Sequence, residues 1–146
     1  MISETLDPQS SFSNLSLVII SIRKELEHLV KFADVHAVIL FRLDGQVLSS
    51  HYCNEKSEDL LVVISWVKNI ISKTMEELQR GSKSVKYDKE VRPQFTVPVF
   101  FYRAGYSSIL VTLLDSKANS GLIEIEMSRT ARRLGQIIDY KKPLGV

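Results

Sequence analysis

Two segments of the chain are apolar on both faces of a strand, and they constrain the fold more than anything else in the sequence. In VHAVILFR, residues 35–42, Val35, Ala37, Ile39 and Phe41 point one way, and Val38 and Leu40 point the other. In SSILVTLL, residues 107–114, both faces are again apolar near the centre. A strand with two apolar faces belongs inside a sheet that is covered above and below. The remaining strand candidates suit the flanks of such a sheet. Asp44-Gly45 predicts a two-residue type I′ hairpin, since both residues tolerate positive φ, and the returning strand 46–51 is short and polar like a sheet edge. Residues 84–91 carry Lys86, Asp88, Lys89 and Glu90 among alternating Val85, Tyr87 and Val91, which reads as the other edge. Arg92-Pro93 makes a turn into strand 95–103, whose Pro98 must sit where no ladder donor is needed. Ala104-Gly105 is a second hairpin turn.

Three segments carry helical periodicity. In residues 13–33, Leu15, Ile19, Ile22, Leu26, Leu29 and Ala33 form one apolar stripe, with Leu17, Val18 and Ile20 apolar beside it. Residues 57–80 open on Ser57, a candidate N-cap, followed by Glu58 and Asp59, and close on Gly81, which suits the C′ position. The apolar residues of this second helix, among them Leu60, Val63, Trp66, Val67, Ile70, Ile71, Met75 and Leu78, span roughly half its circumference, wider than the ~100° stripe of a surface helix. One sheet face covers only part of that arc, so the excess calls for another element of this chain or another subunit. Residues 117–140 place Ile123, Met127, Thr130, Ala131, Leu134, Ile137 and Ile138 on one face. Glu124 and Glu126 come early and Arg129, Arg132 and Arg133 late, as the helix dipole favours, and Glu126 and Arg129 are spaced to pair.

The expected fold is therefore α/β (α+β): one five-stranded antiparallel sheet between helical layers, in the order α-β-β-α-β-β-β-α. Residues 1–12 read as a flexible polar arm broken by Pro8, residues 13–140 as the domain, and 141–146 as a frayed tail. Composition agrees with one folded domain, with 45% hydrophobic and 25% charged residues in 146. A net charge of +2 is too small to imply a nucleic-acid or membrane-surface partner. No apolar run is long enough to insert in a bilayer, and the N-terminus carries Glu4 and Asp7 where a signal peptide needs basic residues. The single cysteine, Cys53, excludes an internal disulfide and fits a reducing compartment. A cytoplasmic location is expected.

Three stretches resemble the roadblock family: VHAVILFRLDGQVLSS (35–50), YSSILVTLLDSKANSGLIEIEM (106–127) and SRTARRLGQII (128–138). The first is an apolar strand, an Asp-Gly turn and a short polar strand. The second is an apolar strand ending at an acidic turn, with Ala118, Asn119, Gly121 and Leu122 opening the last helix, and the third is its Arg-rich continuation. The resemblance covers roughly residues 13–138 and implies a roadblock/longin-like sheet with the second helix on one face and the terminal helices on the other. It implies a homodimer, or a pairing with another roadblock-like chain, through the second helix and the third-strand edge. Val63, Trp66, Ile70, Lys73, Glu77, Val85 and Tyr87 would then form the seam. It further implies a non-catalytic module that regulates or scaffolds a Ras-like small GTPase, or a motor light-chain subunit. KYDKEVRPQFTVPVFFYR, with its two prolines, is longer here than the family pattern.

The mixed polar face of the second helix, Ser65, Lys68, Asn69, Ser72, Lys73 and Glu76, suits a GTPase partner chemically, since its lysines can meet the acidic groups around a nucleotide site. A solvated helix face has the same composition. Trp66, on the flank of the apolar arc, reads equally as core or as interface.

No catalytic constellation of nucleophile, base and orienting group stands out. His28 reads as a solvated helix residue and His36 as a residue beside a strand start. His51 and Cys53 are two neighbouring ligands without the second pair a zinc site needs. Gly81-Ser82-Lys83-Ser84 lacks the upstream glycine and the strand-loop-helix setting of a phosphate loop, and reads as a helix stop. Arg129, Arg132, Arg133, Lys141 and Lys142 form a basic stretch that reads as a solvated face or a meeting point for an acidic partner. No aromatic residues interleave with it, as single-stranded nucleic acid requires. The presumed core is aliphatic, with no polar cluster to orient a small ligand, which weighs against a sensor domain. No cofactor or metal is expected.

Overall fold

The computed structural model describes residues 3–52, 57–118 and 120–139, with side chains from residue 16 in the first helix, from 58 in the second and from 121 in the third. The elements run α1 (Ser3–Val30), β1 (Val35–Arg42), β2 (Val47–Tyr52), α2 (Ser57–Gln79), β3 (Val85–Arg92), β4 (Phe95–Arg103), β5 (Ser108–Leu114) and α3 (Ser120–Asp139). The five strands form one antiparallel sheet in the order β2-β1-β5-β4-β3. The two strands with doubly apolar faces, β1 and β5, lie side by side at its interior. All seven residues of β5 are buried. β2 and β3 are the edges, and both alternate exposed and half-covered residues along most of their length.

Each sheet face carries its own core. On one face, Leu60, Val63, Val67, Ile71, Met75 and Leu78 of α2 pack on Ile39, Phe41, Val99, Phe101, Ile109 and Val111. On the other, Ile22, Leu26 and Leu29 of α1 and Ile123, Met127, Ala131 and Leu134 of α3 pack on Val38, Leu40, Phe100, Tyr102 and Leu110. The terminal helices are tied across their seam by Arg133 Nε donating to Glu25 Oε1 at 2.8 Å, while His28 Nε2 lies 3.3 Å from Glu126 Oε1. Arg133 is thus an inter-helix tie and not part of a solvated basic face. Burying these two apolar faces is the main favourable contribution to folding.

The structure departs from the sequence reading in local detail. α1 begins at Ser3, so residues 3–12, expected as a flexible arm, continue the helix, and Pro8 costs it one backbone bond. Its buried stripe is Ile22, Leu26 and Leu29, while Ile19 is about half exposed and Ala33 lies past the helix end. The Asp44-Gly45 turn is not type I′, because only Gly45 has positive φ (90°). Gly45 N bonds Arg42 O and Arg42 N bonds Gln46 O, so Leu43-Asp44-Gly45 is a three-residue loop with the glycine in the left-handed region. The β3–β4 hairpin turns on Pro93-Gln94, where Gln94 takes φ 62°, and its N–H donates to Glu90 Oε2 at 3.0 Å. Pro98 lies opposite Asp88 of β3, just outside the β4–β5 ladder, which starts at Val99, so no bond to β5 is lost there. α3 starts at Ser120 and not at Lys117, because Asp115 holds the preceding turn: its carboxylate accepts from Lys117 N at 3.0 Å and its carbonyl from Ala118 N. The Lys117 N–H is also the main reason the Asp115 carboxyl stays below its usual range.

Candidate interaction surface

The second helix fixes the site by how its wide apolar arc divides. The centre of the arc is core, and Val63 is fully buried there. Val63 therefore has no surface to offer a second copy. The helical pattern places it on the apolar arc but does not rank depth within the arc. Trp66, Ile70 and Glu77 lie on the flank nearest β3 and are half-buried, with Lys73 exposed beside them. Val85 and Tyr87 face this flank from β3 and are also half-buried.

Trp66 is half-buried on this flank. Its ring stands edge-on to Tyr87 (centroids 5.4 Å apart) and to Phe101 (5.9 Å), and Tyr87 stands edge-on to Phe101 at 5.5 Å. Each such pair contributes about 0.5–1.5 kcal/mol beyond the area it buries. Thr74, fully buried on α2, has its hydroxyl 3.4 Å from that of Tyr87. The Lys89 ammonium lies 5.4 Å from the Trp66 ring centroid. The outer part of the indole stays at the surface, beside the edge of β3 that no strand covers.

The polar face is where the sequence placed it: Ser65, Lys68, Asn69, Ser72, Lys73 and Glu76 are all exposed. The Lys68 stem lies over the β1–β2 loop, where a Cβ on Gly45 would sit 3.3 Å from Lys68 Cγ. Two apolar residues of the same helix, Leu61 and Val62, are exposed at its N-terminal end, at 62% and 39%. They were not singled out in sequence, although their positions opposite the core arc gave the signal. A second contribution that sequence reasoning missed is Asp59. Beyond favouring the helix end, it accepts from Arg92 Nε at 3.0 and 3.2 Å, while the Arg92 guanidinium covers the Phe95 ring at 4.3 Å. This clamp sets α2 against the β3–β4 hairpin and so fixes the relation of helix flank to strand edge.

The other candidates settle in different places. His36 Nε2 lies 3.6 Å from Asp115, and His51 Nε2 lies 3.4 Å from Glu27. Cys53 lies outside the described residues, and no three His, Cys, Asp or Glu gather among those described. Gly81 takes φ 115° at the end of α2, the helix stop its position suggested. Arg129 and Arg132 are exposed on α3, with Arg129 3.4 Å from Glu126, and Lys141 and Lys142 lie outside the described residues. Beside Tyr52, Asp59 and Leu60 lies a cavity of about 60 Å³, room for water-sized molecules only. No helix among the described residues is long and apolar enough to cross a membrane.

The sequence signature of the AF0774-like proteins matches residues 19–128, most of the domain just described. The chain belongs to the AF0774-like family. No curated protein matches it in sequence. In structure this AF0774-like chain is similar to the gliding protein MglB from Thermus thermophilus, with TM-score 0.67, 14% identity, and 84% of this chain and 92% of that one covered. It is also similar to MglC from Myxococcus xanthus, with TM-score 0.59, 21% identity and coverages of 79% and 97%. A roadblock/LC7 domain from Streptomyces avermitilis aligns with TM-score 0.59, 18% identity and coverages of 78% and 94%. The AF0774-like chain has the roadblock fold that its strand and turn segments resembled.

Proposed function

We propose that this chain is a cytoplasmic, non-catalytic, dimeric interaction module that docks a Ras-like small GTPase on the exposed face of its paired α2 helices. The observation that carries the reading is the junction of α2 with the free edge of β3. Trp66, Ile70, Val85 and Tyr87 are half-buried there, beside a strand with one unpaired row of backbone groups. A second copy, or another roadblock-like chain, would cover the apolar flank and extend the sheet. That pairing would bring two polar faces, each with Ser65, Lys68, Asn69, Ser72, Lys73 and Glu76, onto one surface. Such a module can alter hydrolysis by ordering the GTPase's own switch loops, without an active site of its own. The lining of the small cavity gives the sensor reading no support, since Asp59 is engaged by Arg92 and His36 faces Asp115.

The test is charge reversal on the polar face. Lys68→Glu with Lys73→Glu is expected to weaken binding of the cognate GTPase by about tenfold or more, with dimer mass and melting temperature unchanged. Undiminished binding by the double variant would remove this face from consideration.

A further inference from the structure

On the opposite side of the sheet from α2, α3 leaves a long groove beside β4 and the start of β3. One stretch of it is lined by Arg103, Gly105 and Tyr106 of the β4–β5 hairpin facing Arg132, Gly135 and Gln136 of α3. The other runs on between Lys83 and Ser84 and the α3 residues Ile125, Ser128 and Arg129. Tyr102, Lys83, Ser128 and Arg132 belong to both, and the two stretches hold about 490 and 460 Å³. The groove exists because small residues face the sheet here: Ala131 is buried, and Gly135 comes so close to Gly105 that a Cβ would lie 2.6 Å from its nitrogen.

Its charge is one-sided. Four cations, Lys83, Arg103, Arg129 and Arg132, line it against two carboxylates, Glu124 and Asp139, with Arg129 alone of the four drawn to a carboxylate among the described residues, Glu126 at 3.4 Å. Asp139 Oδ2 accepts from the Tyr106 N–H at 3.1 Å, while its Oδ1 is buried with no hydrogen-bond partner among the described residues. Arg103 donates Nε to the Gly105 carbonyl at 3.0 Å and lies 5.5 Å over the Tyr106 ring, so its charge is oriented, with no ion-pair partner among the described residues. Lys83 and Arg132 have no ion-pair partner among the described residues. Tyr106 (68% exposed) and Ile125 (51% exposed) offer apolar contacts at either end.

We propose that this groove is a docking site for an acidic, extended segment of a partner protein, separate from the α2 face. Charge complementarity selects the occupant. The cations stand along the walls of a cleft, where a chain can reach them together and a flat bilayer cannot. The groove has no row of aromatic side chains on which nucleic-acid bases stack. It is open along its length, which suits a chain passing through more than a small molecule enclosed on all sides. Because the two sheet faces have separate cores, both surfaces can be occupied at once.

The experiment uses the full chain and a fluorescein-labelled peptide of alternating glutamate and alanine, read by anisotropy at low salt. Saturable binding that weakens with added salt is expected, with amide NMR shifts centred on Tyr102, Ala131 and Gly135. Lys83→Glu with Arg132→Glu should weaken it at least about tenfold, and the milder Lys83→Gln with Arg132→Gln should give an intermediate loss at unchanged melting temperature. Lys68→Glu with Lys73→Glu should leave it intact. The proposal is overturned if the acidic peptide does not saturate, if the groove variants bind as tightly as the parent, or if the shifts fall on α2. Tighter binding of phosphatidylserine vesicles or oligothymidine than of the peptide would overturn it as well.

Discussion

Tyr102 shows how one side chain couples packing to pH. It is 3% exposed, and burial pushes its phenol from the ordinary value of 10.0 up to about 12, helped by the nearby charge of Glu124 and opposed by a hydrogen bond with Ser84. The folded protein holds this proton more tightly than the unfolded chain. The stabilisation is complete below pH 10 and is lost as pH rises from 10 towards about 12. A shift of that size corresponds to roughly 2–3 kcal/mol. Tyr102→Phe is therefore expected to cost about 1 kcal/mol at neutral pH, through the lost hydrogen bond, while flattening the alkaline fall in stability. Denaturant unfolding of parent and variant at neutral and alkaline pH measures both effects, because the two proteins differ only in this one hydroxyl. A parallel alkaline fall in both would show that Tyr102 does not hold its proton as described.

The seating of α3 depends on Gly135. A Cβ there would meet the Gly105 nitrogen at 2.6 Å, the Gly105 Cα at 3.0 Å and the Ala104 carbonyl carbon at 3.2 Å. These are backbone atoms of a hairpin held by its own hydrogen bonds, so they cannot swing aside. Gly135→Ala gains up to about 1 kcal/mol of helix propensity and loses more to overlap, typically about 1–3 kcal/mol in a tight interior. A lower melting temperature is expected, and a rise would show that the hairpin yields freely. Nothing in RRLGQII announced this contact. The periodicity of Ile123, Met127, Ala131 and Leu134 gave the helix and its buried face, because spacing is local information. What that face rests on is not local: Gly135 meets Gly105, Arg133 meets Glu25, and Asp59 meets Arg92, each pair far apart in the chain. The same limit governs α2, where the wheel gave the width of the apolar arc but could not separate the fully buried Val63 from the half-buried Trp66 and Ile70.

For the whole molecule, the doubly apolar strands were enough to fix the interior of the sheet and so its helical layers, while turn types and helix ends depended on single hydrogen bonds. The α2–β3 flank leads to the expectation that the protein is a dimer at micromolar concentration. Ile70→Glu should yield a folded monomer, since it would place an unpaired charge in the seam. Light scattering with circular dichroism checks this: a monomeric parent, or a variant that unfolds, would assign the flank to the monomer's own core. The strand order has a separate consequence for how the protein is made. β5, the most deeply buried strand, is synthesised last, yet it alone joins the β1–β2 hairpin to the β3–β4 hairpin. Until residues 108–114 leave the ribosome, the nascent chain consists of two hairpins with no hydrogen bond between them. Each then bares an apolar strand edge, β1 in one and β4 in the other. The sheet closes only once β5 has emerged, and during that interval the chain depends on whatever shields exposed strands from pairing with the wrong neighbour.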